Sequence, residues 1–213
     1  LRRLIVTADD YGYCTRYNEG ILRAAAAGAV DAVGAMVLRG ACAPAPILES
    51  GVEVGLHLEL APGIVEADAR AEPLRQLGIF QSVFQRPPAY LDGHHNCHAQ
   101  GAVAEEVRAI AIELGVRVRS AGEKHREWLL SAGAQTPERL IGRHAESQPP
   151  VPPEVERVAD GGEAPDGLTE WMTHPGLSDP ATGSSFDRGR EDDLAVLLRF
   201  APSPPLRRWR DGI

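Results

Sequence analysis

A chain of 213 residues, 43% hydrophobic and 24% charged, is long enough for one domain with a sizeable core, and its composition excludes a disordered polypeptide. Thirty acidic against 22 basic residues give a formal net charge of -8, which argues against a dedicated nucleic-acid binder, whose basic surface would displace counterions. The widely spaced Cys14, Cys42 and Cys97 form neither a secreted disulfide framework nor a Cys-x-x-Cys zinc site, and no apolar run approaches the roughly 20 residues that span a bilayer, so the expected compartment is the cytoplasm.

Leu4 to Ala8 is a β-rich run that stops at Asp9-Asp10-Tyr11-Gly12. Asn18 to Ala27 reads as a helix, with Ile21, Leu22 and Ala25 on one face and Gly28 as the stop. Ala32 to Leu38 is a second apolar run and Gly51 to Leu56 a third, which ends at His57. Ala89-Tyr90-Leu91 leads into Asp92-Gly93-His94-His95-Asn96-Cys97-His98. Ala102 to Leu114 carries a clear helical period through Val103, Val107, Ile110, Ala111 and Leu114, closed by Gly115. Val116 to Arg119 and Leu168 to Thr173 are further strands, the second ending at His174, and Asp192 to Phe200 is a last helix. The Pro/Gly-rich run 147–167 is expected to be a loop within a single domain, 1–213, and Arg207, Arg208 and Arg210 a solvated tail.

Strands alternating with helices predict an α/β fold with a parallel sheet, whose active site forms where the strands end. Four predicted strands end in groups that bind metal or move protons: Asp9 and Asp10, His57, the cluster His94 to His98, and His174. Taken singly these signals are weak. An Asp-Asp pair is often a turn, and a His between leucines is often a core histidine. Together they predict one mouth where a cation relieves the repulsion of paired carboxylates, leaving one as ligand and the other as base. Three ligands would leave positions open for water and substrate, and two imidazoles with a carboxylate suit zinc, iron, cobalt or manganese better than magnesium. His174 is the first candidate for the general acid and His98 the second. Asp92 is placed to orient a ligand imidazole, and Arg119 to reach the mouth unless it forms a surface salt bridge. Tyr11 and Trp171 are candidates for stacking on a ring of the substrate, with burial in the core the favoured reading of each.

These segments resemble the YdjC-like carbohydrate deacetylase family. The likeness runs through Val6-Thr7-Ala8-Asp9-Asp10-Tyr11-Gly12 with Asn18-Glu19-Gly20-Ile21, Gly55-Leu56-His57-Leu58, Leu91 to His98, Thr173-His174-Pro175-Gly176, and Arg190-x-x-Asp193-Leu194-x-x-Leu197. It implies a distorted TIM-like barrel, one divalent metal (Mg or Zn) on Asp10, His57 and His94, and Asp9 as general base. It further implies removal of an N-acetyl group from an amino sugar or chitooligosaccharide, and it is compatible with a homodimer. Asn96 stands where the family usually has His, and the stretches before His94 and before His174 are short. Hydrolysis of another amide or ester, or metal and sugar binding without turnover, are the alternatives at this point.

Overall fold

A computed structural model describes residues 2–61 and 64–200, with Ser203, Leu206 and Arg210 beyond them. Seven parallel strands form one sheet: β1 (Arg2–Tyr11), β2 (Ala32–Ala35), β3 (Glu53–Leu58), β4 (Tyr90–Gly93), β5 (Arg117–Val118), β6 (Arg139–Gly142) and β7 (Gly167–Thr173), in the order β5-β4-β3-β2-β1-β7-β6. The sheet curls until its edges nearly meet. Gln135 forms a parallel bridge with Arg117 at the β5 edge, and β6 starts four residues later against β7. The result is the distorted TIM-like barrel expected from the sequence.

The helices cover the outside: α1 (Thr15–Ala26), α2 (Pro44–Glu49), α3 (Glu66–Phe84), α4 (Gly101–Leu114), α5 (Glu123–Ser131), α6 (Pro153–Ala159) and α7 (Gly189–Phe200). In α4 the period read from sequence is the buried face: Val103, Val107, Ile110 and Ala111 pack inward, and Gly115 closes the helix in a left-handed conformation at φ 67°. β1 pairs with β2 on one side and β7 on the other, and from Val6 to Tyr11 every residue is buried. Such continuous burial suits a strand covered on both faces.

Two expectations are corrected. The run 147–167 is not all loop, because α6 forms within it. Pro153 occupies the first turn, where a missing N–H goes unmissed, and Val155 and Val158 bury themselves. Arg210 is not a solvated tail residue: its guanidinium binds the Asp31 carboxylate and the Gly28 carbonyl. Arg207 and Arg208 lie outside the described residues.

Candidate metal centre

Successive residues of a strand point to opposite faces, so Asp9 and Asp10 would ordinarily diverge. Here the β1–β2 register slips between Ala8 and Tyr11, and Asp10 takes the left-handed conformation at φ 72°. This bulge re-aims one side chain, and Asp tolerates the conformation better than most residues. Both carboxylates now reach the mouth of the barrel.

Asp10 divides its two oxygens. Oδ1 lies 2.9 Å from His94 Nδ1 and 3.3 Å from His57 Nε2, while Oδ2 accepts a 2.6 Å hydrogen bond from Arg190 Nη2. His57, near the end of β3, packs over Gly34 of β2, where a Cβ would sit 3.1 Å from the imidazole's own Cβ. Its Nδ1 lies 2.8 Å from Asp92 Oδ1, so a neutral His57 that donates its ring proton to Asp92 presents Nε2 as an acceptor on the side of Asp10. His94 follows β4 and opens a 3-10 turn, His94–Ala99, in which His95 (φ 54°) and Asn96 (φ 56°) are both left-handed and line the cavity.

Behind this trio lies a buried hub. Arg119 donates from Nη1 and Nη2 to the two oxygens of Asp9 at 2.6 and 2.8 Å, a fork-to-fork pair. Its Nη1 also lies 2.7 Å from Asp92 Oδ2, and its Nε and Nη2 donate to Glu170 Oε1 at 2.9 and 2.7 Å. His174 Nε2 stands 3.9 Å from Asp9 Oδ2, with its ring against Phe186 and its backbone N–H donating to Asp193 Oδ2 at 2.8 Å. Asp193 in turn accepts from Arg143 Nε at 2.7 Å. The mouth opens into a cavity of about 320 Å³ lined by Asp9, Asp10, His57, His94, His174 and Arg190 among others.

Burial pushes the Asp10 carboxyl upward, but Arg190 and the two imidazoles more than reverse it and hold Asp10 well below the usual carboxylate range. Burial pushes the His57 imidazole down, and the carboxylates of Asp92 and Asp9 outweigh that, raising it well above its ordinary value. Burial raises Glu170 even against the opposing pull of Arg119. Burial likewise lowers His174 to about 4, so its imidazole is neutral at pH 7.

Three observations make the site fit a cation. Donor atoms of Asp10, His57 and His94 all lie within 4.8 Å of one another. His57 Nε2 is buried and has no hydrogen-bond partner among the described residues. With its imidazoles neutral, as metal ligands must be, and its four carboxyls (Asp9, Asp10, Asp92, Glu170) ionised against two guanidiniums (Arg119, Arg190), the buried centre carries two negative charges, which one divalent cation would neutralise. Asp9, His57 and Asp92 form a second cluster of the same size, but Arg119 already engages both of its carboxylates.

Asp9, Asp10, His57, His94, Arg119 and His174 thus line one mouth, with Asp92 buried behind His57. Tyr11 does not: it is buried, and its hydroxyl donates to the Ala43 carbonyl at 2.7 Å. His98 is fully buried beneath the site, with Nε2 2.9 Å from the Arg119 carbonyl, which removes it from proton delivery to a substrate. Trp171 is a core residue, and Arg119 is deeply buried rather than part of a surface pair. Sequence reasoning gave no role to Arg190, Glu170, Asp193 or Arg143. The available signal was Arg190 and Asp193 three residues apart at the start of a helix, where both side chains share a face.

A family model described as YdjC-like protein matches residues 3–66 and 60–202. A chitooligosaccharide deacetylase from Serratia marcescens is 28% identical over 230 residues, covering 91% of this chain and 90% of that protein. A carbohydrate deacetylase from Brevibacillus brevis is 29% identical across 92% of this chain and 90% of its own length. The human carbohydrate deacetylase is 30% identical in an alignment that covers 54% of this chain and 47% of that protein. Among solved structures, one from Enterococcus faecalis V583, a proposed cellobiose-phosphate cleavage protein, superposes with a TM-score of 0.76 at 20% identity over 99% of this chain and 94% of that one. With a barrel of this topology, and with the family model matching nearly from end to end, the chain belongs to the YdjC-like family.

Proposed function

We propose that this chain is a divalent-metal-dependent hydrolase that removes the N-acetyl group from an amino sugar or chitooligosaccharide. The observation that carries the reading is the meeting of Asp10, His57 and His94, with an unpartnered buried imidazole nitrogen, beside Asp9 and His174 in one cavity. The deacetylase names of relatives aligned over nine-tenths of the chain support the acetyl group and the carbohydrate class.

When bound, a divalent cation supplies Lewis acidity toward the amide carbonyl oxygen and lowers the pKa of a water toward ~7. Two imidazoles and one carboxylate favour zinc over magnesium for that role. Asp9 takes the water's proton on Oδ2, the oxygen that faces His174 across 3.9 Å. Arg119 holds the Asp9 carboxylate by both oxygens, so the base does not rotate away from the mouth. His174 passes the proton from Nε2 to the departing nitrogen. Because burial keeps this imidazole neutral at rest, the proton it delivers is the one taken up by Asp9 during the same turnover. Water adds to the acyl carbon, the C–N bond breaks, and acetate and the free amine leave.

The test is acetate release from a panel of N-acetylated sugars, with chelator and with zinc or magnesium restored. Release that stops with chelator and returns with one metal supports the reading. Metal-loaded protein that releases nothing from any acetylated sugar sinks it and favours hydrolysis of another amide or ester.

A further inference from the structure

Arg190 sits at the start of α7, 180 residues from the carboxylate it binds, and is 1% exposed. Its guanidinium lies 3.7 Å from the centroid of the Tyr17 ring and donates from Nη2 to Asp10 Oδ2 at 2.6 Å. The Nε and Nη1 atoms are buried and have no hydrogen-bond partner among the described residues. A buried cation with two unused donors is costly to maintain. Its clear electrostatic engagement is with one oxygen of the carboxylate that faces the two imidazoles.

We infer that Arg190 is a positioning residue that limits Asp10 to a single oxygen donor and holds the centre at two negative charges, so that it binds a divalent cation less tightly than an unopposed carboxylate would. Asp10 Oδ1 faces His57 and His94, whereas Oδ2 is engaged by the arginine. Without Arg190 the centre carries four carboxylates against one guanidinium, and Oδ2 is free to turn toward the cation. The gain from Arg190 lies in Lewis acidity: a cation with one fewer anionic donor withdraws more charge from a substrate oxygen.

The inference rests on the metal-binding part of the proposed function and not on the substrate. The test uses two variants of the full chain at pH 8. Arg190→Met removes charge and donor while keeping an apolar chain over Tyr17. Arg190→Gln removes the charge and keeps an N–H for Asp10. Zinc affinity is read by competition with a chromophoric chelator, and donor number by the visible absorption of the cobalt-substituted protein. Both variants should bind zinc at least tenfold more tightly than the parent, and Arg190→Met should also show the weaker cobalt bands of a higher donor number. Zinc affinity unchanged or weakened in a folded variant overturns the inference. If the parent binds neither metal, this inference and the metal-dependent reading both fall. If the parent binds metal and the variants tighten but no sugar is deacetylated, only the substrate reading falls. Should Arg190→Met fail to fold, Arg190→Gln alone decides on affinity.

Discussion

Asp9 and Asp10 are neighbours in sequence with different partners. Arg119 grips Asp9 by both oxygens, and Arg190 grips Asp10 by one. Asp9→Asn keeps the size and one acceptor of the side chain and removes its basicity. We expect kcat to fall by about 10²–10⁴-fold with metal still bound, and metal content measured beside acetate release separates these effects. Full activity in the metal-loaded variant would take the base away from Asp9. His98 belongs to the foundation of the site rather than its surface. Burial lowers its pKa from 6.5 to about 4, so between these values the unfolded chain binds the extra proton more readily than the folded one. The stability tied to its neutral form is therefore fully present above pH 6.5 and is lost as pH falls toward 4, by about 3 kcal/mol in total. His98→Gln keeps an N–H for the Arg119 carbonyl and does not titrate. Urea midpoints measured from pH 7 to pH 4.5 should fall less steeply for the variant, and parallel curves would remove His98 as a source of acid sensitivity. Asp9, Asp10, His57 and His94 were legible because strand ends in a parallel fold converge. Arg190 and Glu170 were not, because an isolated charge looks the same in sequence whether it is solvated or anchors a carboxylate.

Among elements, the strand ends mattered most, and the sequence reading found those whose side chains meet at the cavity. It placed His57 just past its strand, whereas β3 extends through it to Leu58. α3 was not legible: Pro73 lies inside it, Gly78 weakens it, and no single apolar stripe marks its 19 residues. β6 has four residues and lies at the sheet edge, too short for alternation to register. One contact between elements is open to a direct test. Gly20 of α1 packs so closely on Gly176, in the loop after His174, that a Cβ there would meet the Gly176 Cα at 2.4 Å. Both neighbours are backbone, so the clash cannot be relieved by turning a side chain. Gly20→Ala should cost roughly 1–3 kcal/mol by overpacking and shift His174, lowering kcat beyond the effect on stability. Urea unfolding together with steady-state kinetics measures both, and an unchanged kcat would mean that the loop moves without carrying His174 with it.

For the molecule as a whole, the barrel is sealed around charge rather than around hydrocarbon at the end that holds the candidate metal centre. Under the proposed metal role a divalent cation would neutralise the two negative charges left over in the buried centre, so metal binding should act as part of folding. At metal concentrations near 100 times Kd, a single site contributes about 2.7 kcal/mol. For a domain of this size that corresponds to roughly 5–10 °C in Tm. Thermal melts with chelator and with restored zinc should differ by that amount, and coincident melts would mean that no cation is bound. The raised imidazole of His57 sets the sign with pH: a cation must displace a proton there, so the metal-dependent gain shrinks as pH falls. None of the described helices is long and apolar enough to cross a membrane.

The left-handed backbone at Asp10 narrows what evolution can write at that position. Gly, Asn, Asp and His take up this conformation more readily than other residues, while the proposed cation calls for a charged oxygen, which His lacks. Asn and Gly satisfy the backbone and lose the charge. Glu keeps the charge, but it lacks the short side chain that eases this conformation, and it would press a longer carboxylate into the space held by Arg190 and two imidazoles. Under the proposed metal role only Asp meets both requirements, so any single substitution at position 10 should weaken metal binding.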